Sequence, residues 1–232
     1  MDFLFGFSNK SVKIICSQSN TSHKVTRDPV IMKLTFFFLL TGKLPTPEID
    51  LGFAIAAGSL YADETFQLMK DTIEEVITEY GIDKIRYGLI VFGDTATVKI
   101  EFSNNTNVDE LINYLNIVIK TKGGAALDEM LKEAERLFSA AGIRPHAKKV
   151  LVVITDVASG KEPSQVRNAV EKLQDKNIKI VAVSIGREAD PKELEIITST
   201  DNVIEEKKSV EPSSLKDLIM DKVLKGRLFY IM

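Results

Sequence analysis

The chain is poor in the residues that most often carry chemistry. Cys16 is the only cysteine among 232 residues, which excludes an intrachain disulfide framework and a cysteine-based zinc site. Only two histidines occur, His23 in an irregular N-terminal stretch and His146 in the loop Arg144-Pro145-His146-Ala147. Ser59 follows a glycine, but the G-x-S-x-G elbow is missing and neither histidine has a defensible acid-base partner, so a hydrolase triad is not supported. The nucleotide signatures G-x-G-x-x-G and G-x-x-x-x-G-K-[ST] are also absent, and Gly123-Gly124 reads as a turn rather than a phosphate cradle. The expectation is a non-enzymatic protein. Basic residues are not in surplus: 30 Lys and Arg stand against 33 Asp and Glu, scattered along the chain, for a net charge of −3. That pattern offers no footprint for nucleic acid and no polybasic patch for a membrane. Nor is there a long apolar run, since Leu34 to Leu40, LTFFFLL, falls far short of the roughly 20 residues of a spanning helix.

What the chain does have is apolar content. At 44% hydrophobic residues it can bury the core of one α/β domain and still carry extra sequence. The expected organisation is an N-terminal extension over 1–48, a domain over 49–224 and a tail over 225–232. The extension lacks helical or strand period, which implies weak order. Met32 and Lys33 followed by LTFFFLL have the basic start and apolar centre of a secretory signal; the alternative is an apolar segment packed on the domain. Asn9, Asn20 and Asn104 each begin an Asn-x-Ser/Thr sequon, the acceptor pattern of secreted chains. The tail Gly226 to Met232, GRLFYIM, ends in apolar residues.

From Ile49 the pattern is regular. Gly52 to Ala56 reads as a strand, and Asp63 to Tyr80 as a helix with Phe66, Met69, Ile73, Val76, Ile77 and Tyr80 on one face, Asp63 able to cap it and Gly81 able to end it. Arg86 to Phe92 is a buried strand, and Gly93-Asp94 turns it into Thr97 to Phe102, where Val98, Ile100 and Phe102 alternate with Lys99 and Glu101 as on an antiparallel edge strand. Helices follow over Val108 to Ile119 and Ala126 to Ala140. Val150 to Thr155, VLVVIT, has no polar interruption and predicts a central strand covered on both faces, delivering Asp156 to the sheet edge. Ser164 to Asp175 reads as a helix, Ile178 to Ile185 as a strand, Pro191 to Thr198 as a helix, Val203 to Glu205 as a short strand and Ser213 to Leu224 as a last helix. Strands alternating with amphipathic helices predict a Rossmann-like, doubly wound, mostly parallel six-stranded sheet with one antiparallel edge strand and helices on both faces. In such a sheet a ligand site lies at the carboxyl ends of the strands.

Taken together, Ile49 to Ser59, Tyr87 to Phe92, Gly123-Gly124-Ala125, Val150 to Asp156 and Ile180 to Gly186 resemble the strands and loops of the von Willebrand factor type A domain. The resemblance runs from Ile49 to Leu224. It implies a role in adhesion or complex assembly, in which a divalent cation often bridges domain and ligand. Carried over position by position, Ala57 stands where the family has an aspartate, Ser59 matches its first serine, Tyr61 stands at the second, Ala125 replaces a threonine and Asp156 matches the remaining aspartate. Three of five ligand positions therefore lack the ligand group, and Ser59 and Asp156 are the remnant metal pair. A hard ion such as Mg2+ takes about six oxygens, so the expectation is no resident cofactor and at most weak binding of Mg2+ or another divalent cation. Asp63 and Asp128 are conceivable substitutes, each more simply read as a helix-terminal carboxylate.

The resemblance thus implies a protein-binding module whose ligand surface comprises Ser59, Leu60, Tyr61, Gly124, Ala125, Asp156 and Val157. Its partner is expected to be a protein, whether a matrix component or a second copy of the chain, with no nucleic acid and no membrane span. An extracellular location is favoured, with a cytoplasmic scaffold as the alternative.

Overall fold

The computed structural model describes residues 6–8, 11–13, 47–58, 63–121, 123–159, 163–206 and 211–225. Two compact units are distinguished, Met1–Thr46 with Arg227–Met232, and Pro47–Gly226. In the first, β1 (Gly6–Ser8) pairs antiparallel with β2 (Ser11–Lys13). This hairpin lies where the sequence shows no strand period, because three-residue strands are too short to display one. The signal-like segment from Met32 and the tail 226–232 lie outside the described residues.

The second unit is built on a six-stranded sheet in the order β5-β4-β3-β6-β7-β8. Its strands are β3 (Ile49–Ala56), β4 (Ile85–Phe92), β5 (Ala96–Ile100), β6 (Lys148–Val157), β7 (Ile178–Glu188) and β8 (Val203–Glu206). All pairings are parallel except β4 with β5, so the edge strand expected to be antiparallel is so. β6 lies between β3 and β7 with Val150 to Thr155 fully buried, as an unbroken apolar run requires.

Among the described residues six helices pack on this sheet: α1 (Asp63–Tyr80), α2 (Val108–Asn116), α3 (Leu127–Leu137), α4 (Pro163–Asp175), α5 (Pro191–Leu194) and α6 (Pro212–Leu224). Successive strand residues point to opposite faces, and two cores result. On one face Leu51, Phe53 and Ile55 of β3 pack with Met69 and Ile73 of α1, Leu111 and Leu115 of α2 and Ile219 of α6. On the other, Ala54 and Ala56 meet Met130 and Leu131 of α3, Val166 and Val170 of α4 and Leu194 of α5. Each fully buried branched side chain contributes about 1.5–3 kcal/mol relative to exposure. Gly81 ends α1 in the left-handed region at φ +59, with its N–H donating to the Ile77 carbonyl at 2.9 Å.

Polar anchors close the end of the sheet opposite the candidate site. Asp50 is fully buried on β3 and accepts both the Arg144 backbone N–H and its Nε–H at 2.8 Å. The same guanidinium donates to the Ile49 carbonyl at 2.6 Å. Lys148 on β6 and Lys179 on β7 donate to the Val223 and Lys222 carbonyls at 2.6 and 2.7 Å, satisfying the C-terminal acceptors of α6.

Three boundaries differ from the periodicity. Phe102 belongs to a 3-10 turn, Phe102–Asn104, because the Asn104 side chain accepts the Glu101 N–H and the Asn105 side chain, in place of a further strand residue, bonds the Tyr87 backbone of β4. α2 stops at Asn116 rather than Ile119, since the buried Lys70 of α1 takes the Asn116 and Val118 carbonyls at 3.1 and 3.3 Å. α5 is a single turn rather than a helix to Thr198, whose hydroxyl donates instead to the Ile180 carbonyl of β7 at 2.7 Å.

Candidate functional site

The parallel strands β3 and β6 end side by side, paired through Ile55 and Ile154. Ala57 follows β3 directly and is fully buried, its N–H donating to the Phe92 carbonyl of β4 at 2.8 Å. Asp156 stands near the end of β6. Two loops are stitched to the same edge. The segment after α2 comes back to β3 through Thr121, whose N–H and hydroxyl donate to the Ala57 carbonyl at 2.6 and 3.2 Å. The loop before α3 is held by the turn after β4: Ala126 N–H donates to the Gly93 carbonyl at 2.7 Å, and Gly124 N–H to Asp94 Oδ1 at 2.9 Å. Gly123 is needed for that clasp, because at φ +88 a Cβ would lie 1.7 Å from the Asp94 carboxyl.

Of the residues named from the sequence, Ala57, Gly124, Ala125, Asp156 and Val157 thus lie on this edge, with Ala57 and Ala125 buried and Val157 half-buried. Ser59, Leu60 and Tyr61 lie outside the described residues. Asp63 is the first residue of α1, and its exposed carboxylate pairs with Lys120 at 2.8 Å. Asp128 lies in the first turn of α3.

Asp156 carries the polar chemistry of the edge. Its Oδ1 is buried and has no hydrogen-bond partner among the described residues. Burial pushes the carboxyl up to about 6, against the opposing pull of its own backbone N–H and of the Lys120 charge. Two of the positions at which the family resemblance places cation ligands, Ala57 and Ala125, carry no side-chain oxygen. Of the described positions that match the family's ligand set, Asp156 alone carries a ligand group, against the about six oxygens that Mg2+ takes.

Periodicity alone does not reveal the apolar strap that borders this edge. Ile117 and Ile119 are 73% and 77% exposed on either side of the buried Val118. The strap is held from both ends, by Lys70 beneath and by Lys120 and Thr121 above. The available signal is Lys70 itself, a lysine one turn after Phe66 on the apolar face of α1, where its ammonium stands 5.9 Å from the Phe66 ring centre.

A doubly wound parallel sheet with loops gathered at the carboxyl ends of its central strands is a Rossmann-like fold, the class in which ligands bind at the strand tips. The sequence profile of the von Willebrand factor type A domain matches residues 50–220, and the chain belongs to that family. Among similar proteins, the collagen alpha-1(XX) chain of Mus musculus is 29% identical over 162 residues, 67% of this chain and 12% of that one. The collagen alpha-4(VI) chain of Mus musculus is 27% identical over 177 residues, 75% of this chain and 8% of that one. The chain therefore spans a small fraction of these relatives. Proximal thread matrix protein 1 from the mussel byssus has the same fold, with a TM-score of 0.63 at 21% identity over 77% of this chain and 46% of that one. A further structure of the mussel protein has a zinc-occupied MIDAS motif.

Proposed function

We propose that this domain is a non-enzymatic, protein-binding module of the extracellular matrix or cell surface, which engages its ligand with little or no dependence on a divalent cation. The observation that carries the reading is the chemistry of the strand tips. Asp156 presents a buried carboxylate oxygen with no hydrogen-bond partner among the described residues, while Ala57 and Ala125 offer only methyl groups. Ser59 and Asp156 then remain as remnants of a cation site. Membership in the von Willebrand factor type A family and the collagen relatives support the matrix setting.

The ligand surface extends from Gly124, Ala125, Asp156 and Val157, together with Ser59, Leu60 and Tyr61, onto the strap. There Ile117 and Ile119 supply apolar area on a backbone already held in place, so ordering costs on binding are low. Binding of the immobilised domain to solubilised matrix proteins, measured in millimolar Mg2+ and again in EDTA, tests this. Equal binding in both, lost on Ile119→Asp in a domain of unchanged stability, is the expected result. Binding abolished by EDTA overturns the cation-independent reading.

A further inference from the structure

The sequon Asn104-Asn105-Thr106 takes no part in the proposed ligand face, and its two asparagines do different work. Asn105 is committed to the fold. Its Oδ1 accepts the Tyr87 N–H at 2.6 Å, and its Nδ2 donates to the Tyr87, Phe102 and Glu101 carbonyls at 2.8, 3.1 and 3.3 Å. Both the oxygen and the nitrogen of that amide are engaged. Asn104 uses only half of its own. Its Oδ1 accepts the Glu101 N–H at 2.8 Å, and among the described residues its Nδ2 donates no hydrogen bond. The nitrogen that an N-linked glycan occupies is therefore the atom left over, and attaching a sugar there retains the turn's hydrogen bonds.

The platform is firm. Phe102, at the start of the turn, is buried and stands 5.2 Å from the Phe138 ring, centre to centre. Thr106, the hydroxyl member of the sequon, is exposed. Because β5 runs antiparallel, it begins opposite Phe92 at the carboxyl end of β4 and leads back toward Tyr87. Asn104 thus stands about 20 Å along the sheet from the strand tips that carry Ala57 and Asp156, at roughly 3.3 Å per residue. It also lies beside an edge strand, where bulk shields unpaired backbone groups from another chain's strand.

We propose that Asn104 is an N-glycan acceptor whose sugar flanks the open edge of β5 and leaves the ligand face clear. This rests on the extracellular reading above, and the test separates the two. The full chain is expressed behind a heterologous secretion signal in eukaryotic cells and collected from the medium. Its glycans are removed by peptide N-glycosidase in 18O-labelled water, and peptides are mapped by mass. Labelled Asp at position 104, absent from Thr106→Ala, is the expected result, with the thermal midpoint and matrix binding unchanged on deglycosylation. Unlabelled Asn104 in secreted protein overturns the acceptor assignment while leaving the extracellular reading intact. Material from the native source is mapped in parallel. There, labelling supports both, whereas an unmodified Asn104 that is filled in the secreted protein overturns the extracellular reading and native glycosylation with it.

Discussion

Asp156→Asn should change the pH dependence of stability in a defined window. The carboxyl is pushed up to about 6 in the folded domain because burial disfavours its charge, whereas an unfolded aspartate titrates at about 3.9. The folded state therefore holds the proton more tightly. Its contribution is fully present below the unfolded value and is lost as pH rises through about 6. A gap of that size corresponds to about 3 kcal/mol. Partial solvent access to the carboxylate reduces it to about 1–2 kcal/mol. Between pH 4 and pH 7.5 the wild type should thus lose that much stability relative to Asp156→Asn, equivalent to roughly 3–6 °C in midpoint for a domain of this size. Urea unfolding of both proteins across the window measures the difference directly. If the difference between wild type and variant is the same at both ends, Asp156 is not desolvated and the description of the strand tips is wrong.

Two other substitutions test the scaffold. Lys70→Met removes the ammonium that holds the Asn116 and Val118 carbonyls; a loss of about 2 kcal/mol is expected, with faster amide exchange in the strap but not in β6, read by hydrogen exchange. Arg144→Met leaves the Asp50 carboxylate fully buried without its guanidinium, and chemical denaturation should report a loss of about 3–5 kcal/mol.

Most of the fold was legible because its signals are local. VLVVIT could only be a strand covered on both faces, the apolar positions of α1 and α3 recur at helical spacing, and the alternation of the two element types dictated a doubly wound sheet. What was not legible depends on partners distant in the chain. The end of α2 is set by Lys70, 46 residues before Asn116, and a helical period that continues through Ile119 hides it. The clasp between Asp94 and Gly124 joins residues 30 apart. For the site, the residue types at Ala57, Ala125 and Asp156 could be read directly. The burial of the Asp156 oxygen could not, because it arises only when β3, β4 and β6 bring their loops together. The exposed strap was missed for the same reason: Ile117 and Ile119 look like core residues until the segment leaves the helix.

Thermal unfolding in rising Mg2+, Mn2+ or Zn2+ tests the central reading most directly, since a ligand that binds only the folded state adds about 2.7 kcal/mol of stability at a hundredfold excess over its Kd. The wild-type midpoint should stay flat through millimolar cation, while the variant Ala57→Asp, Tyr61→Ser, Ala125→Thr should gain a saturable rise. A saturable rise in the wild type, abolished by Asp156→Asn, would contradict the proposed cation independence.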